Sequence, residues 1–200
     1  TVQLGKIGIQ AIVNTMGVSV SAAFAVVNRI DDFAYTPEQN IAHAMTALMA
    51  QNKGAGKIGR MKEGFKSGII LEIIYGILIF IICFVFARPL MLMFVKDEEV
   101  IGHGVTYLHL ISVMYLLPAL TNGIQGFFRG IGDLKITLIS SFINMALRVL
   151  AAAPLVLIWK MGIEALPYSY LAGWIGMLVA ETPLLLKTYK TWGKKGETPC

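Results

Sequence analysis

Across 200 residues the chain is 56% hydrophobic and only 14% charged, with a mean hydropathy of +0.68, a balance too apolar for an ordinary soluble domain. Its formal net charge of +5 is accounted for by membrane topology and calls for no nucleic-acid partner, while Cys83 and Cys200 offer neither a disulfide framework nor a metal-ligand spacing.

The apolar residues fall in blocks of about 20, the length that carries a helix across roughly 30 Å of hydrocarbon. The first block, residues 1–16, is too short to span. It opens at Thr1 in mid-pattern, which reads as a helix whose start lies upstream, and it lacks the charged leader and cleavage pattern of a signal peptide. The second, residues 18–49, contains the polar run "NRIDDFAYTPEQNIAHAM". The third, residues 67–87, has Glu72 as its one charge. The fourth, residues 100–128, exceeds the minimum and is expected to tilt or bend at Pro118. The fifth, residues 136–159, is interrupted by Arg148 and Pro154, and the sixth, residues 163–186, holds Glu164 and Glu181 towards its ends. Residues 1–192 form one transmembrane unit on this reading, and 193–200 a cytoplasmic tail.

Loop charges assign the sides. Eleven Lys and Arg fall in "QNKGAGKIGRMKEGFK", "RGIGDLK" and "KTYKTWGKK", against three in the opposite loops. Lysine and arginine collect on the cytoplasmic side, so the C-terminus is expected there. Asp97, before Glu98 and Glu99, has the character of a helix start. "GAGK" and "RGIGD" are glycine turns without phosphate-loop spacing. His43, His103 and His109 form no metal-binding pair, and no nucleophile motif is present, so neither a metal site nor an enzyme is expected.

At about 100° per residue, Asn28, Asp32, Tyr35 and Gln39 share one side of the second helix, flanked by Asp31 and Glu38 and, opposite, by Arg29 and His43. Charged groups within a bilayer cost several kcal/mol and normally face protein or a water-filled cavity. Arg29 and Asp32, one turn apart, are expected to pair structurally. Glu38 is the deepest carboxylate of this helix and follows Pro37, which lacks a backbone donor and favours a bend. Carboxylates beside such bends can exchange a proton or bind a cation, although a lone membrane Glu can equally anchor a neighbouring helix. Glu38, Asp31, Asp32, Asn28, Tyr35 and Gln39 are therefore the candidate cavity or ion-coupling residues, with Pro37, Pro118 and Pro154 as candidate bends.

The run "AAFAVVNRIDDFAYTPEQNIAHAMTALMAQNKGAGKIGRMKEGF", a long span, and then "GIQGFFRGIGDLKITLISSFINMALRV" together resemble the C-terminal half of the multidrug and toxic compound extrusion (MATE) family. The likeness covers nearly the whole chain, to about Trp192. It implies an all-α integral membrane protein, a six-helix lobe with its first helix truncated, which pairs with an N-terminal six-helix lobe to make a twelve-helix antiporter. Such an antiporter exchanges Na⁺ or H⁺ for small cationic or amphipathic organic compounds by alternating access in the bacterial inner membrane, and one lobe alone is expected not to transport. One departure stands out. Family members with a cation site in this lobe carry acidic residues on its first and fourth helices, whereas "TVQLGKIGIQAIVNTMG" and "TYLHLISVMYLLPALTNGIQ" contain none. That site does not transfer, which leaves the coupling ion open and makes Glu38 and Asp31 the better candidates in this lobe. Two alternatives remain: a flippase of lipid-linked oligosaccharides, which calls for Arg29 and Arg148 in the cavity, and a non-transporting assembly subunit.

Overall fold

Every regular element among the described residues is a helix. The computed structural model describes residues 2–195, with side chains from 7 to 191; Thr1 and most of the expected tail, residues 196–200, lie outside them. The helices are α1 (Val2–Asn14), α2 (Val18–Gly54), α3 (Ile58–Val85), α4 (Ala87–Leu92), α5 (Glu98–Ser112), α6 (Leu116–Gly130), α7 (Leu134–Leu157) and α8 (Ala165–Lys195). Of these, α3, α7 and α8 are long and apolar enough to cross a membrane, and α5 with α6, bent by 52°, make a fourth if counted as one span. α2 has the length, 37 residues, but its polar face keeps it below that hydropathy.

Several boundaries differ from the sequence expectation. α3 starts at Ile58 rather than 67 because "RMKEGFK" is made largely of good helix formers: hydropathy marks the part of a helix that suits hydrocarbon, not where the helix begins. α2 likewise runs on to Gly54, and α8 runs past 186 to Lys195. α4, Ala87–Leu92, lies in the connection between the third and fourth blocks, where the sequence suggests only a loop. The fourth block breaks at residues 113–115, not at Pro118, which stands third in α6. A proline in the first turn of a helix sacrifices no intrahelical bond, so Pro118 starts the new helix and the bend precedes it. Neither Pro37 nor Pro154 divides its helix. Around Pro37, Thr36 Oγ1 donates to the Asp32 carbonyl at 2.6 Å and Tyr75 Oη to the Ala34 carbonyl at 3.1 Å. Side chains thus supply donors to the turn that the proline weakens.

Asp97 caps α5 as expected, its Oδ1 accepting from the Glu99 and Val100 amides at 2.9 and 3.2 Å. Glu98 in the same turn pairs with Arg88 at 3.0 Å, which ties α4 to α5. Asp97→Ala is expected to cost about 1 kcal/mol, read as a lower thermal unfolding midpoint in detergent. The two glycine turns are real turns, with φ of +68° at Gly56 and +83° at Gly132. Lys53 Nζ donates to the Ile131 carbonyl, so both turns lie at one end of the bundle.

The packing that positions the interior is the crossing of α2 and α6. A Cβ on Gly126 would lie 2.6 Å from the Ala42 carbonyl oxygen, and one on Gly130 would lie 2.6 Å from that of Thr46. The backbones therefore meet through two glycines spaced by four, the small-residue solution for helices in lipid, and Thr46 Oγ1 donates across the seam to the Gly126 carbonyl at 3.1 Å. On the outside, α3 exposes Ile70, Ile74, Ile77 and Ile81, and α7 exposes Leu138, Phe142 and Leu150, surfaces suited to hydrocarbon rather than water.

Candidate functional site

α1, α2, α6, α7 and α8 enclose a cavity of about 550 Å³. Because residues 28, 32, 35 and 39 recur every three or four positions and 31 stands one turn before 35, one face of α2 delivers Asn28, Asp31, Asp32, Tyr35 and Gln39 to it together. Across the space stand Asn122 and Gln125 of α6, Arg148 of α7, and Tyr170 and Trp174 of α8. The wall is thus polar on the α2 side and aromatic on the α8 side.

The two neighbouring aspartates differ. Asp31 is buried and its Oδ1 accepts from Tyr115 Oη at 2.5 Å; Tyr115 in turn stacks edge-on against Tyr35, centroids 5.6 Å apart. Asp32 is exposed on the cavity side. Tyr115→Phe removes Asp31's donor inside the protein and is expected to destabilise by about 1–3 kcal/mol. Tyr35→Phe is expected to leave stability nearly unchanged, because among the described residues the Tyr35 hydroxyl is buried without a partner; thermal unfolding of the two variants side by side checks the difference.

The Arg29–Asp32 pair does not form. Arg29 is exposed and, among the described residues, makes no ion pair. Its long side chain reaches outward while Asp32 turns into the cavity, and an exposed pair gains too little to hold both. Arg148, the other arginine of the spans, does line the cavity, with its guanidinium carbon 3.4 Å from the centre of the Tyr170 ring. That is a cation–π stack.

Glu38 faces elsewhere. It is fully buried behind the cavity wall, towards α3 and α6, where Asn122 Nδ2 donates to its Oε2 at 3.4 Å and its Oε1 finds no partner among the described residues. Glu72 of α3 is also fully buried, with neither carboxylate oxygen hydrogen-bonded among the described residues. A second polar knot joins α6 to α8, where Gln125 Nε2 donates to buried Glu181 Oε1 at 3.2 Å. The sequence reading did not single out Tyr115, Asn122 or Tyr170. For Glu72 a signal was available: a lone carboxylate in a block of isoleucines must find protein surroundings.

A family model, MatE, matches residues 1–153. The chain belongs to the MatE family. Over 201 residues it is 29% identical to the probable multidrug resistance protein YoeA of Bacillus subtilis (strain 168), a match covering 97% of this chain and 42% of that protein. Over 163 residues it is 24% identical to the probable multidrug resistance protein NorM of Thermotoga maritima, covering 81% of this chain and 34% of that one. Among solved structures, a MATE transporter in complex with MaD3S superposes with a TM-score of 0.89 at 15% identity, covering 95% of this chain and 43% of that one. An outward-facing multidrug resistance MATE transporter of the MOP superfamily gives 0.87 at 16%, over 93% and 42%. The fold is therefore that of MATE transporters, and this MatE chain spans about two fifths of the length of these relatives.

Proposed function

We propose that this MatE chain is the C-terminal lobe of a cation-coupled multidrug exporter that pairs with a second six-helix lobe in a bacterial plasma membrane. Its C-terminus and basic loops lie in the cytoplasm, and the lobe alone does not transport. The observation that carries the substrate reading is the cavity wall. Asp31 and Asp32 outnumber the one guanidinium, and Tyr35, Tyr170 and Trp174 supply flat apolar faces, the chemistry that suits a small organic cation. With one lobe alternately exposing this cavity to each side, an inward gradient of H⁺ or Na⁺ drives the cation out.

The test is efflux of a cationic dye from proteoliposomes holding the two-lobed protein, with H⁺ and Na⁺ gradients imposed separately. Acceleration by one gradient supports the reading; efflux indifferent to both sinks the coupling. Arg148 keeps a second reading alive, a flippase of lipid-linked pyrophosphates, since an anionic substrate needs a cavity cation. Transport of such a lipid with no dye efflux would favour it.

A further inference from the structure

Among the residues that line the cavity, Arg148 of α7 carries the one cationic side chain. Its stem crosses to α8 through a slot that Gly173 leaves open: a Cβ there would stand 2.5 Å from Arg148 Cγ, 3.1 Å from its Cδ and 2.8 Å from the Asn144 carbonyl oxygen, one turn earlier on α7. The slot leads to Tyr170, one turn before Gly173, where the guanidinium carbon lies 3.4 Å from the ring centre. Tyr170 in turn stands at 81° to Trp174, centroids 5.9 Å apart, so the two rings make an aromatic corner of the cavity wall. One ring face of that corner is already covered.

Little else holds the guanidinium there. Among the described residues it makes no hydrogen bond and no ion pair, and its Nε is buried without a partner. Asp31 and Asp32 line the same cavity, yet neither is paired with it, and Asp31 is engaged by Tyr115 instead. An arginine has five donors to place, and a forked pair with a carboxylate would fix it in position. A stack on a ring face lacks those directional bonds. A second flat cation can therefore take the face of Tyr170 without breaking any hydrogen bond of Arg148.

We propose that Arg148 is a resident occupant of the substrate's aromatic seat: its guanidinium covers the face of Tyr170 on which a planar organic cation stacks, and the substrate binds by displacing it. This deepens the exporter reading and rests on it, since it takes the cavity to be a site for small organic cations. The displaced guanidinium stays within the cavity, where Asp31 and Asp32 are two carboxylates for two cations, the protein's own and the substrate's. Arg148 is then a specificity residue. Cations that stack too weakly on a ring to displace a guanidinium are refused, and flat aromatic ones are admitted.

The probe is ethidium, a planar aromatic monocation, titrated against the purified two-lobed protein. Arg148→Met keeps much of the stem in the Gly173 slot and removes the competitor, so the dissociation constant for ethidium is expected to fall roughly tenfold, the scale of one desolvated cation–π stack. Arg29→Met, at an exposed position outside the cavity, is expected to leave it unchanged. An unchanged constant in Arg148→Met overturns the proposal, and so does a rise, since Arg148 then holds the ligand itself, as an anionic substrate requires. Loss of repulsion alone would also tighten binding, so the seat is tested by refilling it. Methylguanidinium at roughly millimolar concentration is expected to raise the thermal unfolding midpoint of Arg148→Ala, whose seat is vacant, and to leave wild type unmoved. An equal response in the two proteins, or none in either, overturns the proposal; Arg148→Ser, which also vacates the seat, takes the place of an alanine variant that does not fold. Ethidium bound by none of the proteins counts against the exporter reading, while the methylguanidinium response decides the seat by itself.

Discussion

Glu38→Gln in the two-lobed protein is expected to lower gradient-driven dye efflux roughly tenfold or more, the scale of coupling between linked sites, with little change in folding. Glutamine keeps the volume and can still meet Asn122, so the buried site between α2, α3 and α6 stays filled while the carboxyl group is lost. Because Glu38 does not line the cavity, dye binding without a gradient is expected to persist, and the defect appears in coupled efflux alone. Proteoliposome flux and equilibrium dye binding, measured on the same preparation, separate the two. Wild-type flux at every pH sinks the role given to Glu38, and loss of dye binding together with flux places Glu38 in the substrate site instead.

The second large effect is structural. Gly126→Leu is expected to cost about 3 kcal/mol or more, at or beyond the upper end of ordinary overpacking. Its Cβ would fall 2.6 Å from the Ala42 carbonyl oxygen and 3.2 Å from the Ala42 Cα. Backbone cannot step aside as a flexible side chain can, so α2 and α6 must separate, opening the seam held by Thr46 and displacing Asn122 one turn away. Gly102→Ala is the control, since nothing lies within 4 Å of that position. Thermal unfolding in detergent and yield of monodisperse protein are the readouts; a Gly126→Leu protein as stable as the Gly102→Ala control contradicts close packing at this crossing.

The polar face of α2 was legible because helical periodicity is local. Residues 28, 31, 32, 35 and 39 must share a side wherever the helix docks, and that side does line the cavity. The same periodicity set Glu38 beside Asp31 as a flank of that face, yet the two residues serve different surroundings, Asp31 bonded to Tyr115 and Glu38 to Asn122. The difference arises from α6. The break after Ser112 sets Tyr115 against Asp31 and, two turns further along the same flank of α2, Asn122 against Glu38. Pro118 was a fair sign that a bend existed, but a proline is as comfortable in a first turn as it is disruptive in a middle one. Sequence alone does not say which turn it occupies.

Composition and block length determined by themselves that this chain is a bundle of membrane-compatible helices, since transfer to hydrocarbon is priced residue by residue and summed along a segment. Glycine and aspartate at the block edges determined where several helices start and stop, as at Asp97, Gly56 and Gly132. Only the tertiary structure decided what the buried carboxylates face. Glu38 and Glu72 lie far apart in the chain, and nothing in either segment names the other. Each approaches α6, Glu38 bonded by Asn122 and Glu72 beside Gly123, because a backbone contact at Gly126 and Gly130 holds α6 against α2 and α3 packs on the same helix, and contacts of that kind depend on the whole arrangement of helices rather than on any window of sequence.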